Sequence, residues 1–325
     1  MATVRALLLL PLLLLLGACD LFYDPAAPPF DDRIVLMRTV DDIFGDLHSD
    51  VEMTVLDNGS RHFLLVHGRD RHGEERTVAF DSRLRVRMNR PHLWEVRHAY
   101  VDVNGDFVID QTLFSGTDFS LLSDNVYSDP PPNFPAGGIA TAAGTVIVRV
   151  ENSVLRAGPL YGDDWNFSDI DSEYVEDIDV HPGPVDPDPL NGFELRAAQH
   201  DSGRGRSGLV LWNSEISRTF VIEISAQLAV DMQAGDFAGS HVTDEAPYLV
   251  LSANKDSPVF YTRRGVVLLH DSGQHRVYKM DSGRRSASYD AGRSGEFAFA
   301  YSPDGDWLYW IDLSRRTLYK GRTWW

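Results

Sequence analysis

The chain has one cysteine, Cys19, and only three lysines (Lys255, Lys279 and Lys320) among its 30 basic residues. A single thiol excludes an intramolecular disulfide, so the folded state must be stabilised by burial of apolar side chains, for which the chain is long enough. Basic residues are also outnumbered by the 48 acidic residues, which gives the chain a net charge of −18. That balance disfavours nucleic acid and anionic lipid surfaces as partners.

Long apolar runs and helical periodicity are also absent. No stretch of twelve residues has the spacing of an amphipathic helix. The longest apolar run, residues 6–16, is too short to span a hydrocarbon core of about 30 Å but has the length of a signal-peptide core. It follows a basic Arg5 and ends at the small residues Gly17 and Ala18.

The four residues Leu16-Gly17-Ala18-Cys19 resemble the lipobox of bacterial lipoprotein signal peptides. The resemblance implies removal of residues 1–18 and acylation of Cys19, which attaches the chain to a membrane of the bacterial envelope, on its periplasmic or surface side. Asp20 implies retention at the inner membrane, as in enterobacterial lipoproteins. The alternative is an ordinary signal peptide with a chance cysteine. Residues 19–32 are rich in proline and are interpreted as a tether.

From residue 33 onward, short runs of Val, Ile, Leu and aromatic residues alternate with turn residues, which predicts strands. A unit recurs in which an apolar strand ends in Asp or Asn, five residues form a turn, and a second strand follows. The strand-end residues are Asp57, Asp102, Asn213, Asp271 and Asp312. The long gap after Asp102 predicts a missed unit near 146–150 or 166–175.

Units of about 40–60 residues built in this way are typical of β-propeller blades. We therefore predict an all-β fold over residues 33–325, a β-propeller with six blades, or seven if both missed segments count. Residues 33–37 are expected to pair with the last blade, so that N- and C-terminal strands close the ring. A pair of β-sandwiches is the alternative architecture.

One segment carries a family resemblance. Residues 299–305, which include Ser302-Pro303-Asp304-Gly305, together with Tyr309-Trp310-Ile311-Asp312 are similar to the repeats of TolB-like and Tyr-Trp-Thr-Asp propellers, and to lactonase-like propellers. The resemblance implies a six-bladed fold. It does not imply one activity, since propellers host unrelated functions.

Residues 162–189 contain ten carboxylates and no Lys or Arg. Like charges at this density repel one another, and burying them is costly. The segment is therefore expected to be an exposed acidic insertion in the ring.

Asp102, Asn104, Asp106 and Asp110 follow the spacing that begins a calcium-binding loop. Phe107 occupies the position where such a loop needs glycine, and Leu113 the position of its bidentate acid. We favour a hairpin with an Asn104-Gly105 turn, and keep Ca²⁺ as the one cofactor that this pattern suggests.

The glycines of Gly203-Arg-Gly205-Arg-Ser-Gly208 match a dinucleotide-binding pattern, but the residues that follow are predicted to form a strand where that site needs a helix. No cofactor is expected there. No nucleophile or zinc motif is recognisable either.

The expected function is that of a binding or scaffold module, with a protein or small-molecule ligand in the channel or on a face of the propeller. The alternative is a hydrolase or lactonase that depends on a divalent cation. That enzyme requires several strand-end carboxylates to converge on one ion.

Overall fold

In a computed structural model, the described residues are 30–45, 51–91, 99–109, 112–124, 136–141, 144–151, 154–159, 168–169, 193–214, 216–227, 248–270, 273–290 and 297–323. For residues 136–169 only the backbone is described. A 3₁₀ turn at Asp31–Arg33 precedes the first strand, β1 (Ile34–Thr39).

The other strands come in consecutive groups. The first group is β2 (Glu52–Asp57), β3 (His62–Arg69), β4 (Glu75–Phe80) and β5 (Val86–Pro91); the second is β6 (Tyr100–Val101), β7 (Phe107–Ile109), β8 (Thr112–Phe114) and β9 (Leu121–Ser123); the third is β10 (Ala136–Thr141), β11 (Gly144–Glu151), β12 (Val154–Pro159) and β13 (Ser168–Asp169). The fourth group is β14 (Phe193–Asp201), β15 (Arg206–Asn213), β16 (Arg218–Ser225) and β17 (Tyr248–Leu251); the fifth is β18 (Val259–Thr262), β19 (Gly265–Leu269), β20 (Gln274–Tyr278) and β21 (Arg285–Asp290); the last is β22 (Phe297–Tyr301), β23 (Trp307–Asp312) and β24 (Thr317–Arg322).

Over the described part of the chain, these strands make six four-stranded antiparallel sheets, here numbered in chain order of the groups. Each of the first five sheets is a simple meander. The sixth has the order β1-β24-β23-β22, so the N-terminal strand completes it from outside.

The first strand of every sheet faces the centre of a ring. Strand β2 contacts β6 and β22, β10 contacts β6 and β14, and β18 contacts β14 and β22. Strand β14 also approaches β2 and β6 across the middle. This closed circle of inner strands is a β-propeller, and it confirms the all-β propeller predicted from the sequence.

The predicted closure of the ring by its terminal strands is present. Met37 pairs with Tyr319 and Arg38 with Leu318, antiparallel, and the register shifts between Ile34 and Leu36. Without β1, the last strand would present unpaired backbone groups along an open edge.

Most inner and middle strands are buried on both faces, because each sheet lies between two neighbours. Along β15 every residue from Ser207 to Asn213 is buried, and β19 is buried throughout. This explains why the sequence shows continuous apolar runs instead of a strict alternation. The outermost strands β1 and β5 are largely exposed.

The repeated strand–turn–strand unit does not have one phase relative to the sheets. Asp57 ends a first strand, and Asp102 directly follows one, whereas Asn213 and Asp312 end second strands. The unit missed in the long gap includes β11, which covers 146–150. Ser168–Asp169, inside the predicted acidic insertion, forms the outermost strand of the third sheet; the other residues of 162–189 lie outside the described residues.

Within the described ranges, no helix has the length and apolar character needed to cross a membrane.

Candidate functional site

The ring has two faces that differ in chemistry. On the hairpin face, the turns 58–61, 102–106, 202–205, 263–264 and 302–306 join first strands to second strands. On the opposite face, here called the cavity face, the first strands begin. Residues from the starts of β2, β14, β18 and β22 line one common cavity there, which shows that these strands share one direction.

This arrangement separates the strand-end residues on which a metal-dependent enzyme would depend. Asp57 and Asp102 lie on the hairpin face. Asn213 pairs with Phe193, and Asp312 pairs with Phe297, so both lie on the cavity face. Asp271 lies outside the described residues. The predicted strand-end set therefore does not converge on a single point.

Asp102 is held by its own turn. Its Oδ1 accepts hydrogen bonds from the amides of Asn104 (2.9 Å) and Asp106 (2.8 Å), and its Oδ2 accepts one from the Asn104 side chain. Strands β6 and β7 pair directly around this turn, and Gly105 has a φ of 81°. The favoured hairpin is therefore present, since a positive φ at glycine is what such a turn needs.

The calcium site stays a prediction. Asp106 Oδ1 accepts a hydrogen bond from the Gly116 amide, and Asp110 lies outside the described residues. Among the described residues, no group of three or more His, Cys, Asp or Glu side chains is placed to hold a metal ion. Cys19, the predicted lipidation site, also lies outside the described residues.

The glycine pattern at 203–208 spans the turn between β14 and β15 and the start of β15. Gly205 has a φ of 60°, and a Cβ at Gly208 would lie 2.1 Å from the Tyr261 ring of the next sheet. The strand predicted for residues 209–212 is confirmed, as part of β15 (Arg206–Asn213). These glycines serve the turn and the packing between the fourth and fifth sheets.

Carboxylates cluster where the hairpin face meets the ring axis. Asp201 is buried and receives a two-point clamp from Arg263, Nε to Oδ2 at 2.9 Å and Nη2 to Oδ1 at 2.6 Å. Burial raises the pKa of Asp57, the Gly59 amide opposes this, and the charge of Asp304 raises it further. A Cβ at Gly59 would lie 3.3 Å from Ser202 Oγ. The β2–β3 turn of the first sheet and the β14–β15 turn of the fourth sheet therefore nearly meet, which narrows the centre of the ring on this face.

The cavity face is open by contrast. A cavity of 220 Å³ lies between the first, fourth, fifth and sixth sheets. This volume is below the usual range for drug-sized ligands, about 300–1,000 Å³, and suits a small molecule or one protruding side chain of a partner.

Charged side chains surround its mouth. Arg196 and Lys255 line the cavity, and both bind the half-exposed Glu194, Arg196 at 2.8 Å and Lys255 at 2.9 Å. Burial raises the pKa of Glu194, but the hydrogen bonds from Lys255 and Arg196 outweigh it and lower the pKa below its ordinary value. Glu52 and Asp256 add acidic groups to the lining, so the mouth presents both signs of charge.

The cavity floor is apolar, with a few polar groups. Met53, Phe260 and Phe299 are all buried and line it. Gln199, also in the lining, accepts a hydrogen bond from the Tyr261 amide at 2.6 Å, which ties the fourth sheet to the fifth. An apolar floor below a polar rim is the usual organisation of a binding site.

Sequence reasoning did not find this site. It marked residues at strand ends, where Asp and Asn are conspicuous, whereas the cavity is lined by the starts of first strands. Arg196 is far from Lys255 and Phe260 in the sequence, so only the ring brings them together.

A second buried polar group lies between the sixth and first sheets. Lys320, 4% exposed, donates to the Ser82 carbonyl at 3.1 Å and lies 3.9 Å from the centre of the Trp307 ring. Its Nζ is also 3.5 Å from Nε2 of His62, which is 2.7 Å from the Tyr309 hydroxyl. Burial lowers the pKa of Lys320 to about 8, and burial together with the Lys320 charge lowers that of His62 to about 4.

Comparison with known proteins gives little beyond the fold. No known protein family matches the chain, and no curated protein matches it. The β-propeller domain of Cps50 (Swd1) from Myceliophteria thermophila is 9% identical, with a TM-score of 0.46 over 86% of this chain and 98% of that one. BBS1N, solved in complex with ARL6DN, is 8% identical, with a TM-score of 0.44 over 89% and 96%.

Proposed function

We propose that this chain is a binding module of the bacterial cell envelope, attached to a membrane through a lipid on Cys19, and that its ligand enters the cavity face. The observation that carries the proposal is the cavity, in which buried aromatic side chains lie below a rim of both charges. We also propose one blade for each four-stranded sheet, hence a six-bladed ring of the TolB-like kind.

The distribution of charge supports ligand entry on this face. At the hairpin face the Asp201 carboxylate is already engaged by Arg263, and turns approach each other across the axis. At the cavity face Lys255 is half exposed, and its carboxylate partner is exposed to a similar degree. An exposed ion pair contributes little to stability, so a ligand or partner can replace it at little cost.

Site-specific photo-crosslinking in cells tests the proposal. A photoreactive residue at Ser257, which lines the cavity, should give a defined adduct. The same residue at Ser288, on an exposed outer strand of the same sheet, is the matched control.

The Ser257 adduct should weaken when Lys255→Glu is introduced, and excess soluble Cys19→Ser protein should compete for the partner. Identical adducts at both positions, or adducts insensitive to Lys255→Glu, would exclude the cavity face as the binding site.

The anchor has its own test. Cys19→Ser should release the protein from membranes and abolish labelling by radioactive fatty acid. A variant that still sediments with membranes would show that the attachment lies elsewhere.

A further inference from the structure

The outermost strand of the sixth sheet exposes consecutive apolar side chains. In β1, Val35 is 52% exposed, Leu36 36% and Met37 71%. Over the described ranges β1 pairs only with β24, so its other edge lies at the rim of the ring. Apolar groups grouped in this way on a soluble surface indicate a contact that the isolated chain lacks.

The route of the chain indicates what that contact is. Phe30 is fixed to the ring, since its ring packs edge-on against His275 at 5.5 Å and Trp310 at 5.9 Å. Residues 20–29, between Cys19 and Phe30, span at most about 35 Å when fully extended. A lipid on Cys19 would therefore keep Phe30 within about 35 Å of the bilayer surface, and β1 begins four residues further on.

Strand β1 itself carries no acidic residue, and its arginines are balanced by flanking acids. Asp31, Asp32, Asp41 and Asp42 flank the strand, and Arg33 and Arg38 pair with Asp32 at 3.9 Å and Asp42 at 3.3 Å. Arginine next to apolar residues is favourable at a membrane interface, where the stem lies among lipids and the guanidinium stays in water.

We infer that the rim strand β1 rests in the interface of the bilayer, so that the anchored propeller stands on its edge with both faces open to solution. This inference rests on the proposed lipid anchor. Three side chains contribute too little for stable binding on their own, but attachment by a lipid makes their insertion an intramolecular event.

A second copy of the chain is the competing occupant. Edge-to-edge pairing needs a regular strand, and the register shift between Ile34 and Leu36 makes β1 irregular where its exposed side chains begin. Irregularities of this kind discourage strand addition.

The test supplies the anchor chemically. A chain beginning at Cys19 retains every described residue and is coupled through its single thiol to maleimide lipid in phosphatidylcholine vesicles. An environment-sensitive fluorescent amino acid replaces Val35, or Leu122 in the control. Leu122 is also 52% exposed and lies on the outermost strand of the second sheet.

Emission at position 35 should shift to shorter wavelength on coupling, and nitroxide-labelled lipids should quench it several-fold more than at position 122. Equal quenching at the two positions, or none at 35, would overturn the inference. A shift that needs no lipid and grows with protein concentration would assign β1 to a dimer instead. Because the attachment is chemical, fatty-acid labelling of Cys19 decides the anchor separately.

Discussion

At the scale of single residues, buried polar side chains act as connectors between sheets. His62 belongs to the first sheet, and Tyr309 and Lys320 belong to the sixth; Nε2 of the neutral imidazole accepts a hydrogen bond from the Tyr309 hydroxyl at 2.7 Å, and the Lys320 ammonium lies 3.5 Å from the same nitrogen. A protonated imidazole has no free lone pair and cannot accept the bond from Tyr309.

We expect acid to destabilise the protein through His62. In the folded state His62 stays neutral down to a pH of about 4, whereas in the unfolded chain it takes a proton near its ordinary value of 6.5. The unfolded state therefore binds more protons in this window, and the free energy of unfolding falls as the pH falls through it, by at most about 3 kcal/mol.

Urea unfolding between pH 7 and pH 4 measures this effect. His62→Gln keeps an acceptor but does not titrate, and should flatten the curve; exposed His72→Gln should not. Some slope should persist, because burial also lowers the pKa of His200. An unchanged curve for His62→Gln would contradict the assignment.

Burial of Lys320 should change the free energy of unfolding at alkaline pH. Its folded-state pKa is about 8, below the ordinary 10.5, so the unfolded state binds more protons between these values. The free energy of unfolding should therefore rise as the pH increases from 8 to 10.

Lys320→Met should remove this rise in thermal melts at pH 8, 9 and 10. Lys279→Met is the matched control, because Tyr278-Lys279 repeats the Tyr319-Lys320 pair but Lys279 is exposed. If both variants lose the rise equally, burial of Lys320 is not its cause.

At the scale of turns and strands, the local sequence predicted well what depends on neighbours in the chain. The Asp102 turn and the strand nature of 209–212 follow from backbone hydrogen bonding and from β-branched and aromatic side chains. A strand–turn–strand unit can consist of the first and second strands of a sheet or of the second and third, depending on which strand lies innermost. The local sequence pattern is the same in both cases. The cavity depends on the ring itself, so Arg196 and Phe260 gave no signal.

Removing the two amide contacts of Asp102 should destabilise the second sheet. Asp102 is 1% exposed and satisfies two backbone N–H groups, so Asp102→Ala should cost about 1–3 kcal/mol in guanidinium unfolding. Asp118→Ala removes a similar bond to the exposed Ser120 amide and should cost much less. Equal losses would show that burial of the turn is irrelevant.

Strand β1 should be required for cooperative unfolding. Deleting residues 30–39 leaves β24 with an open edge and removes Phe30 from its contact with Trp310, so we expect a lower melting temperature and a broader transition. A synthetic peptide of residues 30–42 added in trans should restore part of the loss. A deletion variant that melts like the full chain would show that the ring does not need this closure.

At the scale of the whole molecule, the ring tolerates additions only between sheets or beyond their outer strands. Since β13 belongs to the third sheet, a deletion within the predicted acidic insertion should begin after Asp169. Deleting residues 170–189 should change the melting temperature little in calcium-free buffer, since their like charges repel one another. A large decrease, measured by scanning calorimetry, would show that the segment is a structural part of the ring.

The pairing of β1 with β24 also orders events during synthesis. Strand β1 is synthesised before the other described strands, yet its partner, residues 317–322, is the last of them to be made. A nascent chain must therefore keep an apolar strand unpaired until β24 has been made, a period in which exposed edges invite aggregation. Chains stalled before residue 317 should be digested readily near residue 36, and release of the finished chain should abolish that cleavage.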